Sequence, residues 1–354
     1  MNRLPSGSKL PVALIGAGGI GRTHADRLLR HADCTLAAVA DPTEAGRDFA
    51  ASIGVPWFAQ PEALLDAVKP GAAIVATPNS THAAIGLECI ARGVPLLMEK
   101  PITDTPDGGE RLCAAAEAAN VPLLVGHQRR HSLRVRTAKA WVAGGRIGRP
   151  VAAHAMAMWL KPDDYFNVAW RREPGGGPVL INLIHDIDIL RHLLCGVSGE
   201  VTQVQAVTSS AARGHAVEDT AAVMLRFAGG AVATLLTSDA TPAPWNYDLG
   251  AAELERYPPQ DVDALWLCGT EGSLTLPQLQ LWRYAGTRSW AEPLTMERTA
   301  PMRSDPYDEQ LRHLRAVVEG REAPLCSGRD ALSTLRTARA VHEAAASGLA
   351  VTLG

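Results

Sequence analysis

The sequence predicts an α/β chain in two parts. Residues 1–127 read as a parallel sheet wound with helices, and residues 128–354 as an α+β part with a largely antiparallel open sheet. Three observations carry this. At 354 residues the chain is long for one core, so two domains are expected. The first third alternates short apolar runs with amphipathic segments, the signature of strands covered on both faces. After residue 127 strands follow one another with few crossovers, which favours antiparallel pairing with helices on one face.

The first element is the apolar run Val12-Ala13-Leu14-Ile15, which leads straight into Gly16-Ala17-Gly18-Gly19-Ile20-Gly21. A helix-like segment follows, and a second apolar run, Leu36-Ala37-Ala38-Val39-Ala40, ends at Asp41. A glycine-rich turn alone is common. Strand before, helix after and an acid about twenty residues on make it a dinucleotide-binding fingerprint of the Rossmann type. Gly16 allows a tight turn, Gly18 a close approach to a pyrophosphate, and Gly21 close helix–strand packing. The helix beginning near Gly19, after which Ile20 follows, aims free N–H groups and its positive dipole end at the phosphates. Asp41 is placed to accept hydrogen bonds from a ribose.

Residues 72–76 form the next buried-strand run. Thr77-Pro78-Asn79-Ser80-Thr81-His82 reads as a turn and helix start, with Asn79 or Ser80 as the cap. Leu87 and Ile90 give that helix its apolar face, and Gly93-Val94-Pro95 closes it. Residues 96–98 are a strand, 106–120 a helix and 122–126 a further strand. Ligands bind such sheets at the carboxyl ends of the strands. One rim should therefore carry residues 16–21, Asp41, 77–82, 99–101 and 127–130.

In the second part, helices are expected at 133–143, 179–194, 308–319 and 329–346. Strands are expected at 151–160, 201–209, 217–227, 231–238, 263–268, 273–276 and 279–284, with a hairpin at Gly229-Gly230. Residues 241–261, rich in proline and acids, read as a long loop. The exposed face of the sheet is a natural subunit contact, so a homodimer or homotetramer is expected.

Composition narrows the function classes. With 47% hydrophobic and 20% charged residues the chain is globular, and a net charge of -3 argues against a nucleic-acid surface. No apolar run has the length of a membrane span. Residues 1–8 lack the apolar core of a signal peptide. The six cysteines (34, 89, 113, 195, 268, 326) show no CxxC pair. That fits reduced thiols in a cytoplasmic protein.

Two motifs bear chemistry. Glu99-Lys100-Pro101 emerges directly from an apolar strand on the expected rim. Gly175-Gly176-Gly177 leads into a helix on which Ile181, Asn182, His185 and Asp188 share a face. A histidine moves protons near neutral pH, and a neighbouring carboxylate can orient it. Taken singly, each has a plainer reading: a solvated lysine at a strand end, and a satisfied core histidine.

Together, the glycine fingerprint, the 77–82 turn, the Glu-Lys-Pro motif and the glycine-led helix with His185 resemble the Gfo/Idh/MocA oxidoreductase family over nearly the whole chain. The resemblance implies an NAD(P)-dependent dehydrogenase acting on a CH–OH group of a sugar, polyol or related cyclic alcohol. It implies that Lys100 sits beside the substrate hydroxyl and the nicotinamide, with a cis peptide before Pro101 fixing its direction. It implies that His185 is the general base. Thr77, Pro78, Asn79 and His82 are carried over as cofactor contacts, together with Glu99. Gln128, Arg129 and Trp170-Arg171 match positions lining nicotinamide and substrate. One departure stands out. Inositol dehydrogenase relatives have an aspartate four residues before the histidine, where this chain has Ile181. Asn182, one residue off, can hydrogen-bond a sugar hydroxyl but cannot take a proton. Either Lys100 and His185 suffice, or Asp186 or Asp188 orients His185. His185, Asp188 and His192 have usable metal-ligand spacing, but hydride transfer needs no metal here and none is expected.

Asp41 favours NAD over NADP. Each unit of like charge at ~4 Å costs on the order of 4 kcal/mol at an effective dielectric of 20, less with solvent. Arg22 and Arg47 soften that preference. Trp159, Tyr165, Trp170, Trp245 and Tyr247 are aromatics suited to sugar-ring faces, although ordinary core positions are expected to claim half of them. Arg171, Arg172 and Asp248 suit hydroxyls or a carboxylate. Three other readings remain. One is a dehydrogenase of an aromatic dihydrodiol or carboxylated ring. Another is a catalytically silent NAD-binding regulatory protein. The third is a tightly bound NADP enzyme working between two sugars.

Overall fold

The computed structural model describes residues 8–300 and 303–354. The leader reading of residues 1–8 therefore lies, except for Ser8, outside the described residues. By its internal contacts the chain divides into two units. The first runs to His131 and resumes over Pro306–Ser333; the second comprises Ser132–Asp305 and Thr334–Gly354.

In the first unit six parallel strands form one sheet. They are β1 (Leu10–Ile15), β2 (Cys34–Ala40), β3 (Trp57–Phe58), β4 (Ala72–Val75), β5 (Leu96–Glu99) and β6 (Leu123–Gly126). Helices α1 (Gly19–Arg30), α2 (Glu44–Ser52), α3 (Pro61–Val68), α4 (His82–Ala91) and α5 (Pro106–Ala118) connect them. The order is β3-β2-β1-β4-β5-β6, so the chain reverses its winding between β1 and β4. Ligands bind open α/β sheets at that crevice. Every residue of β4, β5 and β6 is buried, as their apolar runs require, including the polar Glu99 that ends β5. Ile15 pairs with Val75, Val75 with Met98 and Met98 with Val125, so four strand ends finish in line.

The sequence reading leaves residues 44–68 unassigned, and α2, β3 and α3 lie there. Thr43 caps α2 by accepting from Gly46 N. The expected cap at Asn79 or Ser80 is corrected. Residues Asn79–Thr81 form a single 3-10 turn, and α4 starts at His82 without a side-chain cap.

In the second unit, nine strands form a mostly antiparallel sheet. They are β7 (Pro150–Met158), β8 (Val201–Ser209), β9 (Thr220–Phe227), β10 (Val232–Ser238), β11 (Leu265–Gly269), β12 (Ser273–Leu276), β13 (Gln280–Tyr284), β14 (Leu294–Arg298) and β15 (Val351–Thr352). The order is β14-β13-β12-β11-β7-β10-β9-β8-β15, and only β7 and β10 run parallel. The helices are α6 (Leu133–Ala143), α7 (Ile184–Ser198), the short α8 (Tyr247–Ala251), α9 (Pro306–Val318, in the first unit) and α10 (Gly328–Ser347, whose first residues to Ser333 belong to the first unit). The inward residues Ala155, Val223, Leu225 and Leu235 pack with Val135, Ile187, Leu190 and Val341 from helices. The other face is open, and Val207 is 72% exposed.

Two expectations change here. The 241–261 loop contains α8, capped by Asn246, whose side chain accepts from Asp248 N. The 179–194 helix begins with a π turn, Val179–Leu183, in which Ile184 N–H reaches back five residues to Val179 O, and it runs on to Ser198.

Helix α9 returns the chain to the first unit. Leu311 and Leu314 enter the core with Leu10 and Leu14, and Cys34 Sγ donates to Leu311 O. In the next segment, Leu325 O accepts from Arg130 and Asp330 pairs with it, which holds this fully buried guanidinium in place.

Candidate functional site

The first unit carries its candidate residues on the aligned strand ends. Gly16 has φ +96°, and a Cβ there would fall 2.6 Å from Ala76 O. A Cβ on Gly21 would lie 2.0 Å from Gly16 O, so α1 packs on the turn only without a side chain. Gly18 and Gly19 differ from both, because added Cβ atoms there meet nothing within 4 Å. Gly18 is the N-cap of α1 and makes no side-chain cap bond, and the first turn holds no acid. Ile20 is partly exposed beside it. The N-terminal N–H groups of α1 therefore lack side-chain caps and face open space, a cradle that fits a dinucleotide pyrophosphate.

Asp41 stands at the end of β2. Its Oδ2 accepts from Ala17 N at 2.8 Å, and its Oδ1 from Thr43 N at 2.9 Å and Thr43 Oγ1 at 2.5 Å. Burial opposes its ionisation. The Thr43 and Ala17 hydrogen bonds and the Arg22 charge outweigh that and hold the carboxyl below its ordinary value. Three of about four acceptor sites are used, which leaves room for a ribose hydroxyl. Arg22 donates to Ala17 O and Ala45 O and stacks on Phe49, while Arg47 pairs with Asp48. Both cations thus have other partners.

The 77–82 turn is cross-braced. Thr81 Oγ1 lies within hydrogen-bond distance of Thr77 Oγ1 at 2.7 Å and of Pro78 O at 2.8 Å, and its one hydrogen can serve the carbonyl while Thr77 donates to it. His82 is fully buried, with Nδ1 3.0 Å from Pro101 O and Nε2 2.9 Å from Thr77 O. Burial pushes its pKa below the ordinary value. His82 thus ties the turn to the Glu-Lys-Pro segment instead of presenting a nitrogen outward. Pro78 and Asn79 remain on the turn itself.

Glu99 is also turned inward. Its Oε1 meets His24 Nε2 at 2.7 Å, and its Oε2 accepts from Lys100 N at 3.1 Å. Burial opposes its charge, but these two partners hold the carboxyl below its usual range. The carboxylate next to the lysine is therefore occupied from α1. The sequence reading misses His24, although its place three residues after Gly21 on the first helix is a usable signal. The Lys100–Pro101 peptide is cis. Gln128 and Arg129 follow β6 in a buried 3-10 turn.

The second unit holds the remaining candidates. A Cβ on Gly177 would strike Glu218 Oε1 at 2.3 Å, and that oxygen accepts from Val179 N. Glu218 thus caps the π turn. Asn182 is buried, and its Oδ1 has no partner among the described residues. His185 is partly exposed one turn on. Asp188 Oδ1 accepts from Thr334 Oγ1, which also accepts from Arg191.

The aromatics separate into two kinds. Tyr247 is core: it is 1% exposed and its hydroxyl donates to Ser132 Oγ at 2.9 Å. Trp159 packs on Tyr257, and its Nε1 is buried without a partner among the described residues. Tyr165 lies against two cations, Arg171 at 3.9 Å and Lys161 at 4.7 Å from the ring centre. Trp170 is 49% exposed.

Comparison with known proteins agrees with this layout. A family model described as "Oxidoreductase family, NAD-binding Rossmann fold" matches residues 10–127. A second, "GFO/IDH/MocA C-terminal domain", matches residues 135–275. A 1,5-anhydro-D-fructose reductase of Ensifer adhaerens is 30% identical over 285 residues, covering 79% of this chain and 78% of that one. An inositol 2-dehydrogenase of Rubrobacter xylanophilus is 30% identical over 248 residues, covering 68% of each. Among solved structures, the WlbA dehydrogenase of Bordetella pertussis, in complex with NADH and UDP-GlcNAcA, superposes with TM-score 0.79 at 21% identity, covering 98% of this chain and 99% of that one. An oxidoreductase from Agrobacterium radiobacter in complex with NAD+, L-tartaric acid and magnesium gives TM-score 0.80 at 21% identity, covering 98% of each.

Proposed function

The chain belongs to the Gfo/Idh/MocA family of NAD-binding oxidoreductases, and we propose that it is a dehydrogenase moving hydride between NAD and a sugar, polyol or related cyclic secondary alcohol. The observation that carries the reading is the register of the first sheet. It brings the open glycine turn after β1, the 77–82 turn after β4 and Lys100 after β5 to one rim. The reductase and inositol dehydrogenase relatives support the substrate class.

Bound NAD supplies the carbon that accepts or returns hydride. The α1 N-terminus binds its pyrophosphate and Asp41 its ribose. The Asp41 carboxylate repels a 2′-phosphate, which favours NAD over NADP. Thr77, Pro78 and Asn79 line the dinucleotide, and His82 and Glu99 hold the rim from behind. Lys100 stabilises the developing alkoxide with its ammonium group. His185 takes the hydroxyl proton. The free Oδ1 of Asn182 accepts from a neighbouring hydroxyl. Gln128, Arg129 and Trp170 frame the nicotinamide and substrate.

The exposed outer face of the second sheet, with Val207, Met224 and Val232 in view, supports a homo-oligomer formed through that face. None of the six cysteines is joined in a disulfide, which supports a reducing, cytoplasmic setting. Among the described residues no helix is long and apolar enough to cross a membrane. The test is a panel of polyols and aldoses offered with NAD and with NADP, read at the absorbance of reduced nicotinamide. The reading expects turnover with NAD on at least one cyclic polyol or sugar. Cofactor binding without turnover on any member would favour a regulatory protein instead.

A further inference from the structure

We infer that Glu218 is a positioning residue for the reaction: from the edge of β9 it fixes the first turn of the helix that carries Asn182 and His185. The inference rests on the dehydrogenase reading above, in which His185 takes the substrate proton. It also gives the glycine lead-in at 175–177 a purpose.

The helix begins irregularly. Val179–Leu183 form a π turn, and α7 continues from it without a break to Ser198. Single π turns are rare and recur at functional sites. One extra residue in a turn rotates everything after it by about 100°, so this turn sets the direction in which His185 leaves the axis. Asn182 lies within the turn itself. The first N–H groups of a helix have no partner inside it. Pro178, at the cap position, has no side-chain oxygen to offer and makes no cap bond. The Val179 N–H is met from outside instead, by Glu218 Oε1 at 3.2 Å. A carboxylate there also complements the positive end of the helix dipole.

Glu218 stands on a firm mount. Its neighbour Asp219 donates from its backbone N to Ser209 O at 2.8 Å, and Asp219 O accepts from Asp239 N at 3.0 Å. The Asp219 side chain accepts from Ala212 N and Arg213 N, both at 2.9 Å. From α10, His342 Nε2 approaches the same Glu218 Oε1 at 3.2 Å. A carboxylate oxygen only accepts, so the imidazole donates. One oxygen is thus held between α10 and the π turn.

Gly177 makes the room for it. A Cβ there would lie 2.3 Å from Glu218 Oε1, 2.5 Å from Glu218 Cδ and 2.6 Å from Val217 Cγ2. All three are side-chain atoms, so an alanine displaces the carboxylate before it displaces backbone. Gly176 differs, because its Cβ would strike backbone, Trp170 O at 2.3 Å. Gly177→Ala is therefore a second way to pull Glu218 off the turn with the carboxylate still present. Glu218 acts through the helix. A proton-transfer group misplaced by about 1 Å loses on the order of 10² in rate.

The experiment is steady-state kinetics on the full chain with NAD and the best alcohol of the panel. The variants are Glu218→Ala, Glu218→Gln and Gly177→Ala, each also combined with His185→Ala. Glu218→Ala and Gly177→Ala should lower kcat by about ten- to a hundredfold, with NAD affinity unchanged. Glu218→Gln keeps an oxygen for Val179 N and should regain most of the loss. In the His185→Ala background, Glu218→Ala should cost less than about threefold more, because the group it positions is gone. A cap serving stability alone would lower the melting temperature and leave kcat in place. Unchanged kcat, the same fractional loss with and without His185, or Glu218→Gln no better than Glu218→Ala overturns the inference. Should Glu218→Ala fail to fold, Gly177→Ala carries the comparison. Hydrogen exchange over residues 179–185 gives a readout independent of turnover. It should quicken by about fivefold or more in Glu218→Ala and Gly177→Ala, as loss of a cap bond implies, and recover in Glu218→Gln. Unchanged exchange overturns the inference even where no alcohol is oxidised. A wild type that turns over no alcohol defeats the dehydrogenase reading, and the exchange rates then decide by themselves whether Glu218 holds the turn.

Discussion

In the proposed reading, Lys100 and Asp41 are the single groups with the largest expected effects. Lys100 follows a strand buried along its whole length and precedes a cis proline, and the acid beside it is occupied by His24. Replacing Lys100 by alanine is predicted to lower kcat by about 10²–10⁴, the span of an acid–base or charge-stabilising group, while NAD binding and the melting temperature hold. Steady-state kinetics alongside NAD calorimetry checks this. At Asp41 the folded carboxyl sits below its ordinary value of 3.8. The unfolded group therefore takes up a proton first. The stabilisation it gives is present above the ordinary value and lost as pH falls through the folded one. NAD affinity should consequently show no Asp41 titration between about pH 5 and 8. Asp41→Ala should move cofactor preference toward NADP by about tenfold or more, as loss of one repulsive charge implies. Calorimetry with both cofactors across pH reads both effects.

At the level of elements, the glycine turn joining β1 to α1 divides into two pairs with opposite expected behaviour. Gly16→Ala and Gly21→Ala collide with backbone and are predicted to destabilise the first unit by roughly 1–3 kcal/mol or more, as overpacking does. Gly18→Ala and Gly19→Ala meet open space and should leave stability nearly unchanged while weakening NAD severalfold. Denaturant melts and cofactor titration separate the pairs. This part of the fold is legible in the sequence because β1, β4, β5 and β6 are apolar for most or all of their length. Residues 44–68 are harder to read, because α2 is short and largely exposed and β3 has two residues. The π turn at Val179–Leu183 and the helix α8 are set by capping groups from distant or loop positions, Glu218 and Asn246. Periodicity does not report such groups. The candidate site behaves the same way. Lys100 and His185 stand in recognisable motifs. The inward turn of His82 and Glu99 and the burial of Tyr247 depend on partners elsewhere along the chain, Pro101, His24 and Ser132.

For the molecule as a whole, two consequences follow. Cofactor that binds only the folded chain stabilises it by RT ln(1 + [L]/Kd), about 2.7 kcal/mol at one hundred times Kd. NAD should therefore raise the melting temperature, and NADP at the same concentration should raise it less. The second consequence concerns association. Val207 and Met224 stand exposed on the outer face of the second sheet, at 72% and 51%. If the proposed homo-oligomer forms through this face, charging both, as Val207→Asp with Met224→Glu, should lower the mass read by light scattering to that of one chain while each chain still binds NAD. The account as a whole rests on Lys100 acting on an alcohol beside NAD. Its most direct test is the rate of NADH formation by wild-type protein and Lys100→Ala on the best substrate of a panel of polyols, aldoses and sugar acids. The account predicts measurable turnover by the wild type and a loss of at least about 10² in the variant, with NAD binding unchanged. Equal rates for the two proteins would contradict it.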